Sequence, residues 1–425
     1  MRTAFAPVTA LLIGTTLLYL GYGLQTTLVP LRATAEGFNK LTIGLLGSVY
    51  YAGFVAGCFV GPFVIQRAGH IRAFAAMVSL VSAAALAFPM AVGGAEWLIF
   101  RFVIGLCISG VLIIIESWLN DKATSNTRGM VMSAYIIVSY GAITIGQLGV
   151  MTQPLSSFGL FSLCSILLSV AAVPVALTRS EQPPPIPTVR FRPRHLWSLA
   201  PAAFIGAFVS GLLTGSVLSM AAVYAVGEGF DTAQAAAFSS AIVLGGALGQ
   251  YPFGRTSDFV DRRIVLLVAA VATAALCLTL ALSAALGPLV AILLGFGLGF
   301  VMLPTYALAA AHAYDWTLHE DMVETSASMN LLFGLGSTAG PIIASVAMVI
   351  FGPSGLFLVL AASAVGLVAF IAVRVKIRRR PAEELRNEFD MYSTLPVGAP
   401  VPDAEAVLAA AEDPVAPKEE EEAVV

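Results

Sequence analysis

Three stretches of the chain, 130–178, 264–314 and 325–373, each run for about fifty residues without a Lys, Arg, Asp or Glu. An α-helix rises about 1.5 Å per residue, so fifty residues would measure roughly 75 Å against a hydrocarbon core of about 30 Å. Each stretch therefore predicts two membrane spans and a tight turn, and each carries turn residues near its middle: Pro154-Leu155-Ser156-Ser157, Gly287-Pro288 and Gly352-Pro353. Extended to the whole chain, the pattern predicts an all-α membrane protein with twelve transmembrane helices, at 8–30, 41–65, 73–94, 97–119, 130–153, 158–178, 197–226, 233–254, 264–286, 289–312, 325–350 and 354–375. Between the sixth and seventh stand Pro183, Pro184, Pro185, Pro187 and Pro193 among four arginines. Such a segment cannot stay helical for long and reads as a linker. The expected organisation is an N-terminal six-helix bundle (1–178), a linker (179–196), a C-terminal six-helix bundle (197–375) and a tail (376–425).

Composition agrees with lipid as the main solvent. Hydrophobic residues make up 58% and charged ones 11%, with a mean hydropathy of +0.89; soluble domains are about 25% charged. No basic face interleaved with aromatics supports a nucleic-acid partner. Cys58, Cys107, Cys164 and Cys277 lie in apolar spans without paired spacing and read as buried free thiols. The apolar run at 4–31 is too long for a signal-peptide core of 7–15 residues and reads as a retained first span. The tail from Pro381 holds twelve acids against Arg386 and Lys418 and lacks the apolar residues for a core, so it reads as disordered.

Basic residues set the expected orientation. Seventeen fall in the loops and ends on the N-terminal side, against Arg32 and Lys40 on the other, which predicts both termini in the cytoplasm. Two compact basic loops also occupy the same place in each half: Gln66-Arg67-Ala68-Gly69-His70-Ile71-Arg72 after the second span, and 254–263 with Gly254, Asp258, Arg262 and Arg263 after the eighth. Loops in register imply a duplicated bundle, as secondary transporters show.

On these residues the chain resembles the major facilitator superfamily over about 8–375. The eighth-span loop keeps that superfamily's Gly and Asp spacing but has Phe259 where Arg is usual and Asp261 where Gly is usual; the second-span loop has Gln66 for the usual Asp. Arg101, Gly105 and Gly110 resemble the fourth-span motif, whose Arg is implicated in proton coupling. Ile115-Glu116-Ser117-Trp118-Leu119-Asn120, Arg128-Gly129, Ala311-His312-Ala313-Tyr314-Asp315 and Gly334, Gly336, Gly340 and Pro341 are similar to a bacterial branch, the YcaD-like transporters, with Tyr314 for a usual Asn. The resemblance implies two pseudo-symmetric six-helix bundles, transport across a bacterial inner membrane, and a cytoplasmic gate built from the two basic loops.

Arg101 and Glu116 are the charges deep within the predicted spans, and intramembrane charges mark function by default. Fifteen residues, roughly 22 Å of helix, separate them, so they do not pair directly. Arg101 reads as a coupling or substrate contact, or as a structural bond to first-span backbone. Glu116 reads as a gate partner of Arg67, Arg72 or Arg128, or as a proton carrier. Polar stripes at helical spacing predict a cavity lining: Tyr19, Tyr22, Gln25 and Thr26; Tyr140, Thr144 and Gln147; Ser210, Thr214 and Ser216. Interhelical glue is the competing account of these stripes. His312, Asp315, His319, Glu320 and Asp321 fit a gate network better than a metal site, because their spacing matches no standard one.

No nucleophile elbow, no phosphate-cradling loop ahead of a Lys and no ATP-binding domain is visible, which argues against an enzyme or an ATP-driven pump. No cofactor is expected. The expected function is secondary transport of a small molecule by alternating access, coupled to protons, with the bilayer as the other partner. The rivals are a drug-type efflux antiporter and a non-transporting membrane sensor or assembly factor on the same fold.

Overall fold

A computed structural model describes residues 8–91, 93–122, 128–178, 183, 191–282, 287–318 and 321–377. The acidic tail, most of the linker, and His319 and Glu320 lie outside the described residues. The helices are α1 (Thr9–Ala35), α2 (Lys40–Ala68), α3 (His70–Ala87), α4 (Gly94–Lys122), α5 (Arg128–Leu148), α6 (Phe158–Ala176), α7 (Pro193–Leu199), α8 (Pro201–Gly227), α9 (Thr232–Phe259), α10 (Arg262–Leu282), α11 (Gly287–Met302), α12 (Pro304–Tyr314), α13 (Met322–Ile350) and α14 (Gly355–Ile377).

Eleven helical segments among the described residues are long and apolar enough to cross a bilayer, α11 and α12 counting as one. The twelfth is α1, whose 27 residues span about 40 Å at 1.5 Å per residue. Its threonines, tyrosines and Gln25 lower its hydropathy, and those same residues give it the polar stripe. The spans agree with the sequence pattern to within about five residues, except at two prolines and at the third span, which ends at Ala87 where the pattern predicts 94. Pro201 separates α7 from α8, where the pattern predicts one helix. Ala200 before it is held at φ −138° and ψ 73°, outside the helical region, as a residue preceding proline tends to be. Pro304 begins α12 and breaks the tenth span at Leu303, because it has no N–H to donate to the preceding turn.

The predicted turns fall where the charge-free stretches need them. Ser157 donates its N–H to Pro154 O at 2.8 Å, and its hydroxyl accepts from Gly159 N at 3.0 Å to start α6. Gly287 and Gly352 turn at φ 76° and 77°, a region side chains disfavour.

The two halves repeat in their packing as well as in their loops. In the first, Gly53 and Gly57 of α2 press on the α4 backbone at Phe102 and Leu106, and Gly105 of α4 presses back on Tyr50 O. In the second, Gly245 and Gly249 of α9 press on Phe296 and Phe300, and Gly299 of α11 presses back on Ile242. Gly23 and Gly146 join α1 to α5 as Gly211 and Gly336 join α8 to α13. Apolar surface gives little drive to associate helices in lipid, so backbone-to-backbone contact at small residues supplies it instead.

Between the halves, hydrogen bonds run from Lys40 Nζ to Met348 O (3.1 Å), from Ser240 Oγ to Thr144 O (3.4 Å) and from Gln250 Nε2 to Tyr140 Oη (3.4 Å). Gly44 abuts Ser345 and Pro341, and Gly47 abuts Ser219. These contacts lie from the middle of the spans toward the end that carries Lys40 and Met348. That end is opposite the basic loops.

Candidate functional site

Arg101 sits two turns into α4 and is 6% exposed. Glycines at 53 and 105 let α2 lie against α4, which brings the α2 backbone within its reach. Its Nε donates to Leu46 O at 3.2 Å, and its guanidinium carbon lies 4.4 Å from the centroid of the Tyr50 ring. The sequence reading of a structural bond to first-span backbone is thereby corrected: the bond goes to the second span. Nη1 is buried and has no hydrogen-bond partner among the described residues. Beside it a cavity of about 10 Å³, the room of roughly one water, is lined by Thr26, Leu46 and Gly47 from the first half and by Ser219 from the second.

Glu116 lies four turns further along α4 and is 3% exposed. Tyr135 of α5 donates its hydroxyl to Glu116 Oε1 at 3.3 Å, and Oε2 has no partner among the described residues. The expected pairing with the basic loop is not found. Arg67 and Arg72 are exposed at the ends of α2 and α3, while Glu116 faces the tyrosine; the Arg128 side chain lies outside the described residues. Gly69, at φ 80°, turns the chain between those helices. His70 behind it is buried against Trp118, with its Nε2 3.5 Å from Ser117 Oγ.

Tyrosines fill the space between the two charges. The Tyr135 hydroxyl is 3.1 Å from that of Tyr19, whose ring meets Tyr22 edge-on at 6.3 Å. Tyr22 lies 6.2 Å from Tyr50, the ring beneath Arg101, and Tyr51 adds an edge contact to Tyr50 at 5.1 Å. The stripe at Tyr19 and Tyr22 was legible from spacing. Tyr50, Tyr51 and Tyr135 were not, because they reach the chain from other helices; the adjacent Tyr50-Tyr51 pair in an apolar span was the available signal.

The other polar stripes divide. Tyr140 and Thr144 of α5 meet Gln250 and Ser240 of α9 and so lie on the seam between the halves. Gln25 and Gln147 are each 2% exposed, with the amide nitrogen of the first and the amide oxygen of the second unpartnered among the described residues. Ser210 bonds Thr305 at 2.9 Å within the second half, and Ser216 bonds Leu212 O in its own helix, so both act as internal glue.

In the second half the basic loop after α9 meets the end of α12. Arg262, 5% exposed at its side chain, lies 3.2 Å from Asp315 and 3.9 Å from Asp258, which joins the start of α10 to the end of α12. Asp261 takes a paired contact from Arg263 at 2.7 and 3.1 Å and accepts its backbone N–H at 2.9 Å. Burial pushes the Asp261 carboxyl up, but these Arg263 bonds outweigh it and hold the group below the usual carboxylate range. Gly254 and His312 are buried in the same corner, the His312 ring 6.5 Å from Trp316. Phe259, where the family has Arg, lies under the Arg255 guanidinium at 4.9 Å. The linker end also docks: Arg192 Nε is 2.9 Å from Glu324, His195 is 3.8 Å from Asp321, and Phe191 packs on Phe59 at 4.5 Å.

Twelve spans in two similar halves, with buried charge and polar groups at their seam, define a membrane transport protein. The chain belongs to the Major Facilitator Superfamily, whose profile matches residues 11–315 and 203–416. It is similar to the uncharacterized MFS-type transporter Ent638_1421 of Enterobacter sp. (strain 638), 26% identical over 387 residues, 89% of this chain and 97% of the relative. It is also similar to the uncharacterized MFS-type transporter YcaD of Shigella flexneri serotype 5b (strain 8401), 27% identical over 380 residues with the same two coverages. Among solved structures, the nucleoside transporter NupG superposes with a TM-score of 0.67 at 14% identity, covering 88% of this chain and 100% of that one. The MFS transporter FucP in its outward conformation gives 0.57 at 15% identity, covering 88% and 99%. At these identities the structures establish the shared fold.

Proposed function

We propose that this protein is a proton-coupled secondary transporter that moves a small molecule across the bacterial inner membrane by alternating access. The observation that carries this reading is the position of Arg101: a buried cation whose Nη1 has no partner among the described residues, at a cavity shared by the two halves on the side where they touch. A buried charge without a partner is costly, so it is retained where something else completes it. The seam there is made by Gly44 and Gly47 against Ser345, Pro341 and Ser219, a contact of small residues.

The arrangement supports one of the alternatives read in the sequence for each of the two charges. Arg101 serves as the substrate contact. Glu116, with a carboxylate oxygen that has no partner among the described residues and a hydroxyl path through Tyr135 to Tyr19, serves as the proton carrier. The gate is then left to the loop cluster around Arg262 and Asp315. The basic loops and both termini face the cytoplasm on the positive-inside rule, and the linker (179–196) joins two bundles that rock about the seam.

The test is uptake or exchange in proteoliposomes under an imposed pH gradient, with a substrate found by screening metabolites for thermal stabilisation. Accumulation that follows the proton gradient is the expected result. Equal accumulation with the gradient collapsed refutes coupling, and a protein that binds ligand but moves none is a sensor. Orientation is checked by Pro185→Cys, which should react with an impermeant thiol reagent only after permeabilisation.

A further inference from the structure

We infer that the ligand of the seam is a small organic carboxylate, gripped by Arg101 from the first half and Ser219 from the second. This deepens the transporter reading and rests on it for the word substrate, but the binding claim stands on geometry alone.

A guanidinium has five N–H donors in a planar fork and stays cationic in proteins. Arg101 uses one within the protein, its Nε on Leu46 O, and the buried Nη1 has no partner among the described residues. Salt bridges elsewhere in the protein join Arg262 to Asp315 and Arg263 to Asp261; among the described residues none involves Arg101. The Tyr50 ring covers one face of the guanidinium and offsets part of the desolvation, but it accepts no bond from the edge donors. What is missing is therefore an anion with two acceptor oxygens in one plane, and a carboxylate matches that fork.

The rest of the site argues for an organic body rather than a mineral ion. Val29, Ile43 and Leu46 line the cavity together with Thr26 and Ser219. The Thr26 hydroxyl is occupied by Gly23 O at 2.8 Å. The Ser219 hydroxyl makes no hydrogen bond among the described residues, and it abuts the Gly47 backbone across the seam. An anion seated on Arg101 can take that hydroxyl as a further donor, so its binding would favour closure of the halves. In the closed state the cavity has about 10 Å³, roughly one water, so the ligand enters only when Gly47 and Ser219 separate.

The experiment measures thermal unfolding of the purified full-length protein with lactate, benzoate and succinate at about 10 mM, each beside its amide, and with nitrate as the mineral anion. At least one acid should raise the melting temperature by about 2 °C or more while its amide and nitrate do not. Arg101→Gln should remove the shift and Arg101→Lys should keep part of it. Ser219→Leu, which fills the cavity and leaves Arg101 intact, should also remove it, and this guards against an Arg101 variant that misfolds. Amides or nitrate acting as well as the acids would overturn the inference, as would no acid acting at all, or a shift unchanged in Ser219→Leu. If acids bind through Arg101 but are never accumulated in proteoliposomes, the transporter reading fails and this one stands. If a neutral or cationic compound is accumulated without an acid site, the reverse holds.

Discussion

Arg101 and Glu116, fifteen residues apart on α4, are joined through the first half by tyrosines from three other helices. Tyr50 lies under the guanidinium at 4.4 Å and Tyr135 donates to the carboxylate at 3.3 Å, with Tyr22 and Tyr19 between them. Helix geometry alone keeps the two charges about 22 Å apart. The phenols supply what the charges lack: a polar yet bulky path that fills the space as aromatic packing does and still offers hydroxyls. Arg101 and Glu116 thus sit at opposite ends of one connected structure.

If Glu116 carries the proton, Glu116→Gln should uncouple transport from the pH gradient while exchange of substrate for substrate continues. Tyr135→Phe removes the hydroxyl that bonds Oε1 and should slow gradient-driven transport without abolishing it. Both are read as initial rates at several pH values in proteoliposomes. A Glu116→Gln variant with the parent's pH profile would return Glu116 to a structural role.

Transport should depend on the Arg101 fork as well as on its charge. Arg101→Ala is expected to abolish gradient-driven movement and Arg101→Lys to retain a fraction of it, because an ammonium is a point charge without planar donors. Insertion should be unaffected, since an apolar residue in α4 is favoured by lipid. Parent-like transport by Arg101→Ala would withdraw the assignment.

The seam itself can be wedged. A Cβ at Gly44 would collide with Ser345 and with Pro341 O, so Gly44→Val should hold the halves apart at the end near Lys40 and Met348. Cysteine introduced at Ser345, buried here, should then label faster from that side, and transport should fall by about tenfold or more, given how sharply packed helices resist overfilling. Unchanged labelling would mean that the seam does not open there.

How much of this was legible beforehand follows from which forces act along one helix and which act between helices. Span positions were legible because lipid imposes length and apolarity on each segment by itself. The breaks at Pro201 and Leu303 come from the proline ring and its missing N–H, which hydropathy does not register. Arg262 and Asp315 were each visible as loop charges. Their pairing across 53 positions of sequence was not, and among the described residues Glu116 meets Tyr135 rather than Arg67 or Arg72, a partner that charge alone does not suggest. Arg101 was singled out as an intramembrane cation, yet its relation to Ser219 exists only across the seam.

The Asp261 carboxyl, held below its ordinary range by Arg263, sets a pH dependence of definite sign. A depressed carboxylate contributes stability that is fully present above its unfolded value of about 3.9 and is lost as pH falls through the folded value. Asp261→Asn should therefore lower the melting temperature equally at pH 7 and pH 5, with the difference from the parent shrinking near pH 3. Thermal unfolding in one detergent across this range checks it. A difference that grows toward acid would contradict the assignment.

The Arg262 and Asp315 pair offers the sharpest stability test. Their side chains are 5% and 4% exposed and 3.2 Å apart, so each compensates the other in a poorly solvated corner. Removing one member of such a pair leaves an uncompensated charge and costs about 3–5 kcal/mol, whereas removing both for neutral groups of similar volume costs far less. Arg262→Met and Asp315→Asn should each lower stability strongly, and the first also takes from Asp258 a cation 3.9 Å away. The double variant should recover much of the loss, giving a coupling energy of about 3 kcal/mol or more in a double-mutant cycle. Reversible chemical unfolding in mixed micelles measures all four proteins. Additive losses would show that the two side chains act independently, and the loop cluster would then lose its claim to be a single unit that the gate can use.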